Sequence, residues 1–525
     1  MTMLDFSRLV TPPHHGDTLV EPPPREHPAI LEANRRMMAR ASADFAGLDL
    51  QTVRRQVRTE VVGEPDAPIV VTGHQPEFIH PGVWAKHVVA ARLAAAMGGA
   101  AVNLVADNDV PKETGLAVPT VEDGRLNRRI VPSTHAPTSF AYENRPAAAV
   151  AERQAFEARV RTAMGPRFES SMLGDYFAAL LGEPTHPVDW VDQTVAARRA
   201  VEQAVGITIL DRRISRVWYG PMLAELIRDA GRFAAAYNGA LADYRREQGV
   251  RSPQHPIPDL KRSDTLQELP LWAYRPGEGR RRLYAAAQGG RVELRADDPS
   301  SAGGRVIGRW PQRSFADWGA ADAALRSAGD WRIRPRALML TLWARLLLAD
   351  LFVQGIGGAK YDRITDRLIR RYYGFEPPLM MAVSATLHLA LPRHDLEPAA
   401  ARALRRRRRD MIYNPQRQMN DSAAMQSLYR QKTDALGRLE ALRGGNRSVR
   451  PRRRELFLTV RALNDRMRAL DPHAWQEQER RLEETIRRLR ENEIATRRDY
   501  FFALHRRSDL EWLRDRLPSV RDFGL

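Results

Sequence analysis

Apolar positions along this chain change rhythm from region to region, and the rhythm predicts the elements. Ile69, Val70 and Val71 are β-branched and stand between a proline and a glycine, which predicts a short buried strand. From Val83 to Met97 alanine, leucine and valine recur at helical spacing, and Gly98 and Gly99 stop the run. A second apolar strand, Ala101 to Ala106, ends in Asp107, Asn108 and Asp109. Strand, tight polar turn, helix and strand make a parallel unit the expected arrangement. In such sheets ligands sit at the carboxyl ends of strands, where helix N-terminal amides face anions.

Elsewhere the pattern is coarser. Residues 1–28 read as an irregular arm rich in Pro and His, 29–60 as helical in period, and 150–250 as mostly helical. Leu269 to Asp297 alternates between Gly-containing turns and predicts strands. An apolar helix is predicted from Ala337 to Phe352, running into the turn Gly355, Gly357, Gly358; a charged helix opens at Lys360 and Tyr361, and "PPLMMAVSATLHLAL" follows as a buried strand. Beyond Arg393 strand formers thin out. Leu456, Val460, Leu463, Met467 and Leu470 step by four and three, as do Leu482, Ile486 and Leu489, which is a heptad seam. The break "RGGNRSVRP" at 443–451 predicts that two arms fold back as an antiparallel hairpin.

The chain has 525 residues, 43% of them hydrophobic, enough for one large core or two smaller ones. It has no cysteine, which excludes disulfides, thiolate metal sites and a cysteine nucleophile. The first residues lack a basic segment followed by an apolar one, and no stretch reaches the length of a membrane span. A soluble cytoplasmic protein is expected, with no membrane partner. Net charge is +18, and residues 401–460 hold 16 Arg and Lys against 5 Asp and Glu. The run Arg405 to Arg409 reads as a polyanion patch or as a solvated helix face. No aromatic or glycine interleaving of the kind that stacks bases accompanies it, so sequence-specific nucleic-acid binding is not expected.

Candidate chemistry gathers at three turns. In the first, Gly73 permits close backbone approach, His74 and Gln75 stand at the helix entrance, His80 follows one loop on, and Lys86 offers a point charge to the same anion. The alternative is that His74 caps the helix and Lys86 is solvated. His87 shares a face with Val83 and Ala91 and is assigned to packing. In the second, Asp107 and Asp109 could hold a ribose hydroxyl, an amino group or Mg²⁺, or cap a following helix; no metal site is assigned. In the third, Gly355, Gly357, Gly358 and Lys360 have the composition of a phosphate cradle, yet no Ser or Thr follows the lysine as in a P-loop. A helix C-cap is the competing explanation there.

"VVTGHQPEFIHPG", "VADNDVPKE" and "RIRPRALMLTLWARLLLADLFVQGIGGAKYD", in this order and ahead of the helical arm, resemble the bacillithiol biosynthesis cysteine-adding enzyme family, the cysteine ligases known as BshC. The resemblance implies a core similar to nucleotidyltransferase folds and the joining of cysteine to the amine of malyl-glucosamine. Amide formation from a free carboxylate needs activation, so ATP or another adenine nucleotide is the implied cofactor. Carried over by position, Gly73, His74 and Gln75 form the signature turn, Asp107 and Asp109 the acidic strand end, and Gly357, Gly358 and Tyr361 the later loop. His74 stands for a Gln of the family pattern, Glu77 for a Gly, Ala106 and Asn108 for Glu and His, and Ala359-Lys360 for Gly-Glu. Such departures imply a divergent branch whose substrate need not be cysteine or malyl-glucosamine. "HQPEFIHPGVWAK" also resembles the opening of WbqC-like proteins, over one turn only.

These readings give an expected α/β fold: a Rossmann-like parallel-sheet core with inserted helical segments over 1–394, an antiparallel coiled-coil arm over 395–500, and a C-terminal helix over 501–525 packing back on the core. The expected activity is a ligase joining an amino acid to an amino sugar or small amine. His74, Gln75, Asp107 and Asp109 are its catalytic candidates; Gly73, His80, Lys86, Gly355, Gly357, Gly358, Lys360 and Tyr361 are its binding candidates. A homodimer through the coiled coil is the expected assembly. The competing class is a non-enzymatic interaction protein that uses the basic helices.

Overall fold

A computed structural model describes residues 6–133, 139–182, 188–263, 265–297, 304–419, 421–445 and 447–524. Contacts divide the chain into two compact units, one of residues 1–120, 128–389 and 498–525, the other of 121–127 and 390–497. The chain runs β1 (Thr18–Glu21), α1 (His27–Arg40), β2 (Asp44–Phe45), β3 (Leu48–Asp49), α2 (Leu50–Val62), β4 (Ile69–His74), α3 (Pro81–Ala96) and β5 (Ala100–Val105). There follow β6 (Gly115–Glu122), β7 (Arg125–Pro132), α4 (Val150–Met164), α5 (Leu173–Leu181), α6 (Trp190–Ala204), β8 (Leu210–Arg213), α7 (Gly220–Arg228) and α8 (Ala230–Glu247). Next come β9 (Gln267–Tyr274), β10 (Arg281–Gln288), β11 (Arg291–Ala296), β12 (Arg305–Pro311), α9 (Trp318–Arg326), β13 (Arg332–Pro335), α10 (Ala337–Trp343), β14 (Leu351–Gln354), α11 (Ile356–Leu368) and β15 (Met380–Ala385).

The first unit is a mixed α/β body built on a six-stranded sheet of order β1-β15-β14-β4-β5-β8. Five strands run parallel and only β1 is antiparallel. Pleat alternation sorts the side chains of β4 and β5 to two faces. Ile69, Val71, Val102 and Leu104 join one large core with Val53, Val57 and Val61 of α2, whereas Val105 packs with Trp190, Val191 and Val195 of α6. A five-stranded antiparallel sheet, β12-β11-β10-β9-β13, adds Leu269, Leu283 and Leu294 to the large core. Helix α3 is apolar nearly all round because it is covered on two sides. It packs on β4, β5 and β15, and Trp84 stacks on Phe502 with ring centres 5.6 Å apart.

Several expected boundaries are corrected. The arm contributes β1, which pairs with β15 over Thr18–Glu21; its first five residues lie outside the described chain. The helical period of 29–60 is broken by the β2–β3 hairpin, and Asp49 then caps α2 by accepting from Gln51 and Thr52 N–H groups. The apolar run 337–352 is not one helix: α10 passes into a π turn, Ala344–Leu348, and Leu351–Gln354 inserts between β4 and β15 as β14. Period alone does not separate a buried helix from the buried strand that follows it. Asp350 makes the switch, its buried carboxylate taking Arg54, Arg58 and the Ile69 N–H, while Arg54 and Arg58 also bind the carbonyls of Leu346, Leu348 and Ala349.

The second unit is helical: α12 (Pro398–Tyr413), α13 (Ala423–Ala441), α14 (Arg450–Ala469) and α15 (Pro472–Ala495). α13 packs along α14 and α12 along α15, with Met411, Met425, Leu428, Leu463 and Met467 in a shared core. The expected turn at 443–451 separates α13 from α14. The seam itself is divided, because Asp471 caps α15 by accepting from Ala474 N–H and Pro472 takes its first position. The last helix, α16 (Arg507–Arg516), belongs to the first unit.

Candidate functional site

Parallel pairing of β14, β4 and β5 brings their carboxyl ends to one edge, in register Val353 to Thr72 and His74 to Val105. The turns after these strands carry the candidate residues, so the three turns share that edge. Gly73 is required by the sheet itself: a Cβ there would lie 2.9 Å from the Leu104 carbonyl oxygen. His80, not His74, caps α3, its Nδ1 accepting from Gly82 N–H at 3.0 Å.

Lys86 departs most from expectation. Its side chain is buried, with 3% of the residue exposed, instead of solvated. Nζ donates to the Gly73 carbonyl at 2.7 Å, and among the described residues no carboxylate pairs with it. Burial alone pushes the ammonium down to about 8. Burial together with this nearby charge pushes His74 down to about 3, and burial with Arg498 pushes His80 down to about 4. Two neutral imidazoles therefore stand beside an ammonium that lacks a counter-ion.

Gln75 links the first turn to the second, its Nε2 donating to Asp109 Oδ2 at 2.9 Å. Asp109 also pairs with Arg280 at 2.8 Å. Asp107 is consumed by structure: its buried carboxylate takes Arg213 Nε at 2.7 Å and the Ser215 N–H at 2.9 Å, fastening β5 to the turn after β8. It is not available for a metal or a ribose, and among the described residues no group of His, Asp and Glu is arranged to hold a metal ion. Gly355 is the N-cap of α11 and Gly357 and Gly358 lie in its first turn, so this loop is a helix start and not the C-cap considered from composition. Tyr361 is 41% exposed and meets Tyr244 and His255 edge-on.

A cleft opens beside His74 and Gln75, with Asn103, His87 and Arg198 among its polar walls and Phe78, Trp190 and Phe501 among its apolar ones. Its water-accessible interior is about 20 Å³, while the cleft with its open mouth spans about 440 Å³. The interior thus has room for about one water. An adenine nucleotide does not fit it in this conformation. Of the twelve residues singled out from sequence, only His74 and Gln75 line it; Gly73, His80, Lys86, Asp107, Asp109, Gly355, Gly357, Gly358, Lys360 and Tyr361 do not.

Asn103 and Arg198, which wall this cleft, escaped the sequence reading, and His87, assigned there to packing, joins them in the wall. His87 Nδ1 donates to Glu202 Oε1 at 2.6 Å. Arg198 bonds both Glu202 and Asp211, and Asn103 Nδ2 donates to Asp211 Oδ1 at 2.8 Å. Burial opposes ionisation of Glu202, and Arg198 with His87 overcomes it, holding the carboxyl below its usual range. A lone Asn inside the apolar run "AAVNLVA" was the one local signal.

Fold and site define an α/β protein with two neutral histidines and an unpaired lysine at the carboxyl edge of a parallel sheet. No protein-family model matches the chain, and no curated protein matches it.

Proposed function

We propose that this chain is a ligase that forms a carbon–nitrogen bond between an amino acid, cysteine or another, and an amino sugar or other small amine. The unpaired Lys86 ammonium carries the reading. Keeping a charge in a dry site without a partner opposes folding, and such an arrangement is retained where an anion completes it. Lys86 does not line the cleft, and its charge reaches the His74 that does, so it favours an acyl carboxylate held beside His74 and Gln75. His74, neutral at working pH and lining the cleft, offers its uncharged ring to the substrate as a hydrogen-bond acceptor, its Nδ1 being held on the Gln75 carbonyl at 3.1 Å. The one-water interior of this cleft gives no seat to an adenine nucleotide, so no residue is assigned to activating the carboxyl; the oxygen that the nitrogen displaces leaves on a phosphate of ATP, or as water where no ATP is used, and the two arms of the test separate these. On the same reading the sheet is a Rossmann-like core, the C-terminal helices are a coiled-coil arm that pairs two copies, and the protein works in the cytoplasm.

The test is direct. Purified protein is mixed with amino acids, cysteine first, and with glucosamine or malyl-glucosamine, with and without ATP, and amide product is read by mass spectrometry. Product formation is expected to fall roughly 10-fold in His74→Ala, the scale of one lost hydrogen bond. Absence of amide with every pair tried would remove the ligase reading.

A further inference from the structure

His87 and Asn103 both wall the cleft, and each carries a buried acceptor without a partner, His87 Nε2 and Asn103 Oδ1. Their other atoms explain why these two are acceptors. Glu202 is ionised and can only accept, and its 2.6 Å contact outweighs the 3.2 Å approach of Arg198 Nη1 to the same nitrogen, so the ring proton sits on His87 Nδ1 and a lone pair is left on Nε2. Asp211 likewise orients the Asn103 amide, taking Nδ2–H at 2.8 Å and leaving Oδ1 free. His87 is 0% and Asn103 3% exposed. Two buried acceptors without a donor cost free energy, on the order of 1–3 kcal/mol each.

A group that brings two hydrogens on one atom satisfies both. The carboxylates Glu202 and Asp211 behind the cleft are balanced by Arg198 and, at the surface, Arg199. The floor is therefore neutral, and with the Lys86 ammonium close by it favours an uncharged donor over a second cation. We propose that the inner end of this cleft seats the free primary amine of the substrate, its two N–H bonds donating to His87 Nε2 and Asn103 Oδ1. The nitrogen lone pair then faces the mouth, from which the acyl carbon of the amino acid approaches. A sugar ring stays in the open mouth against Phe78 and Phe501. This seat rests on the reading of the protein as an amine-using ligase, and it moves His87 from packing to binding.

The experiment uses the full-length protein labelled with ¹⁵N-histidine, glucosamine as probe, N-acetylglucosamine as control, and neither ATP nor an amino acid. Glucosamine should raise the unfolding temperature saturably and shift the His87 Nε2 resonance, because a ligand that binds only the folded state stabilises it. N-acetylglucosamine should do neither, and Asn103→Leu should weaken glucosamine binding at least tenfold. If Asn103→Leu does not fold, the His87 resonance of the unaltered protein decides alone. An unmoved resonance, or equal shifts with both sugars, overturns the seat and leaves the cleft to a bound water. Glucosamine binding without any amide product would remove the ligase reading and keep the seat. Product formation with an unmoved His87 resonance would remove the seat alone.

Discussion

Replacing Lys86 with Met should make the folded protein more stable near neutral pH while removing its response to anions. Burial lowers the ammonium from the ordinary 10.5 to about 8, which corresponds to about 3 kcal/mol of opposition to folding at any pH where both states are charged. Methionine fills a similar volume without charge. It forfeits the bond to the Gly73 carbonyl, which offsets roughly 1.5 kcal/mol of the gain, so a net stabilisation of about 1–2 kcal/mol is expected. The pH dependence follows from the depressed value. Stability from this group is complete above 10.5 and is lost as pH falls through about 8, because the unfolded chain holds the proton more tightly than the folded one. The unaltered protein should gain stability relative to Lys86→Met as pH rises from 8 towards 10.5. Urea unfolding across that range measures it, and a titration with inorganic phosphate or acetate reads anion stabilisation in both proteins. A variant less stable by more than about 1 kcal/mol at neutral pH would refute the reasoning, since it would mean that something within the fold already compensates the ammonium.

Asp350→Asn should destabilise by about 3–5 kcal/mol, because it leaves the buried Arg54 and Arg58 without a counter-ion; a loss under 1 kcal/mol in urea unfolding would contradict this account. Glu225, buried beside the Tyr373 hydroxyl at 3.1 Å, is pushed by burial from 4.5 up to about 8. Its stability contribution is full below 4.5 and is lost as pH rises through about 8, so Glu225→Gln should flatten a decline of roughly 5 kcal/mol across that window in pH-dependent unfolding. Changing Arg405, Arg406, Arg407 and Arg409 to Gln, with Arg408 left on Glu479, should reduce salt-sensitive retention on heparin and leave small-molecule binding unchanged. Loss of a sequence-dependent nucleic-acid affinity would instead favour the interaction-protein class.

Local pattern carried the parallel unit well. β4, α3 and β5 fall within a few residues of their expected bounds because a β-branched run, a histidine cap with proline after it, and paired glycines each act over one turn of chain. β14 was hidden, since Leu346 to Val353 is apolar apart from Asp350 and only the Arg54–Asp350–Arg58 cluster, built from residues some 300 positions apart, marks where helix becomes strand. β1 and β8 escaped for a related reason. Each has four residues and lies at a sheet edge, so its identity comes from one neighbouring strand and not from its own alternation.

The site was legible to the extent that its residues are neighbours in sequence. His74, Gln75 and His80 could be placed at a helix entrance, but which histidine caps depends on the turn geometry, and His80 wins because its ring reaches the Gly82 N–H. Lys86 carried a signal that the pattern did express, a single cation within the apolar stretch Val83 to Ala90, and its burial follows from a helix covered on two sides. The Asp107 reading failed because Arg213 and Ser215, which consume it, lie at the end of β8 and in the turn after it, more than 100 residues away. Charge that satisfies itself inside the fold cannot serve a ligand, and charge that does not must find one elsewhere. By that criterion Asp107 leaves the list of catalytic candidates, while Lys86 and the two orphan acceptors of His87 and Asn103 become the groups that a ligand would complete.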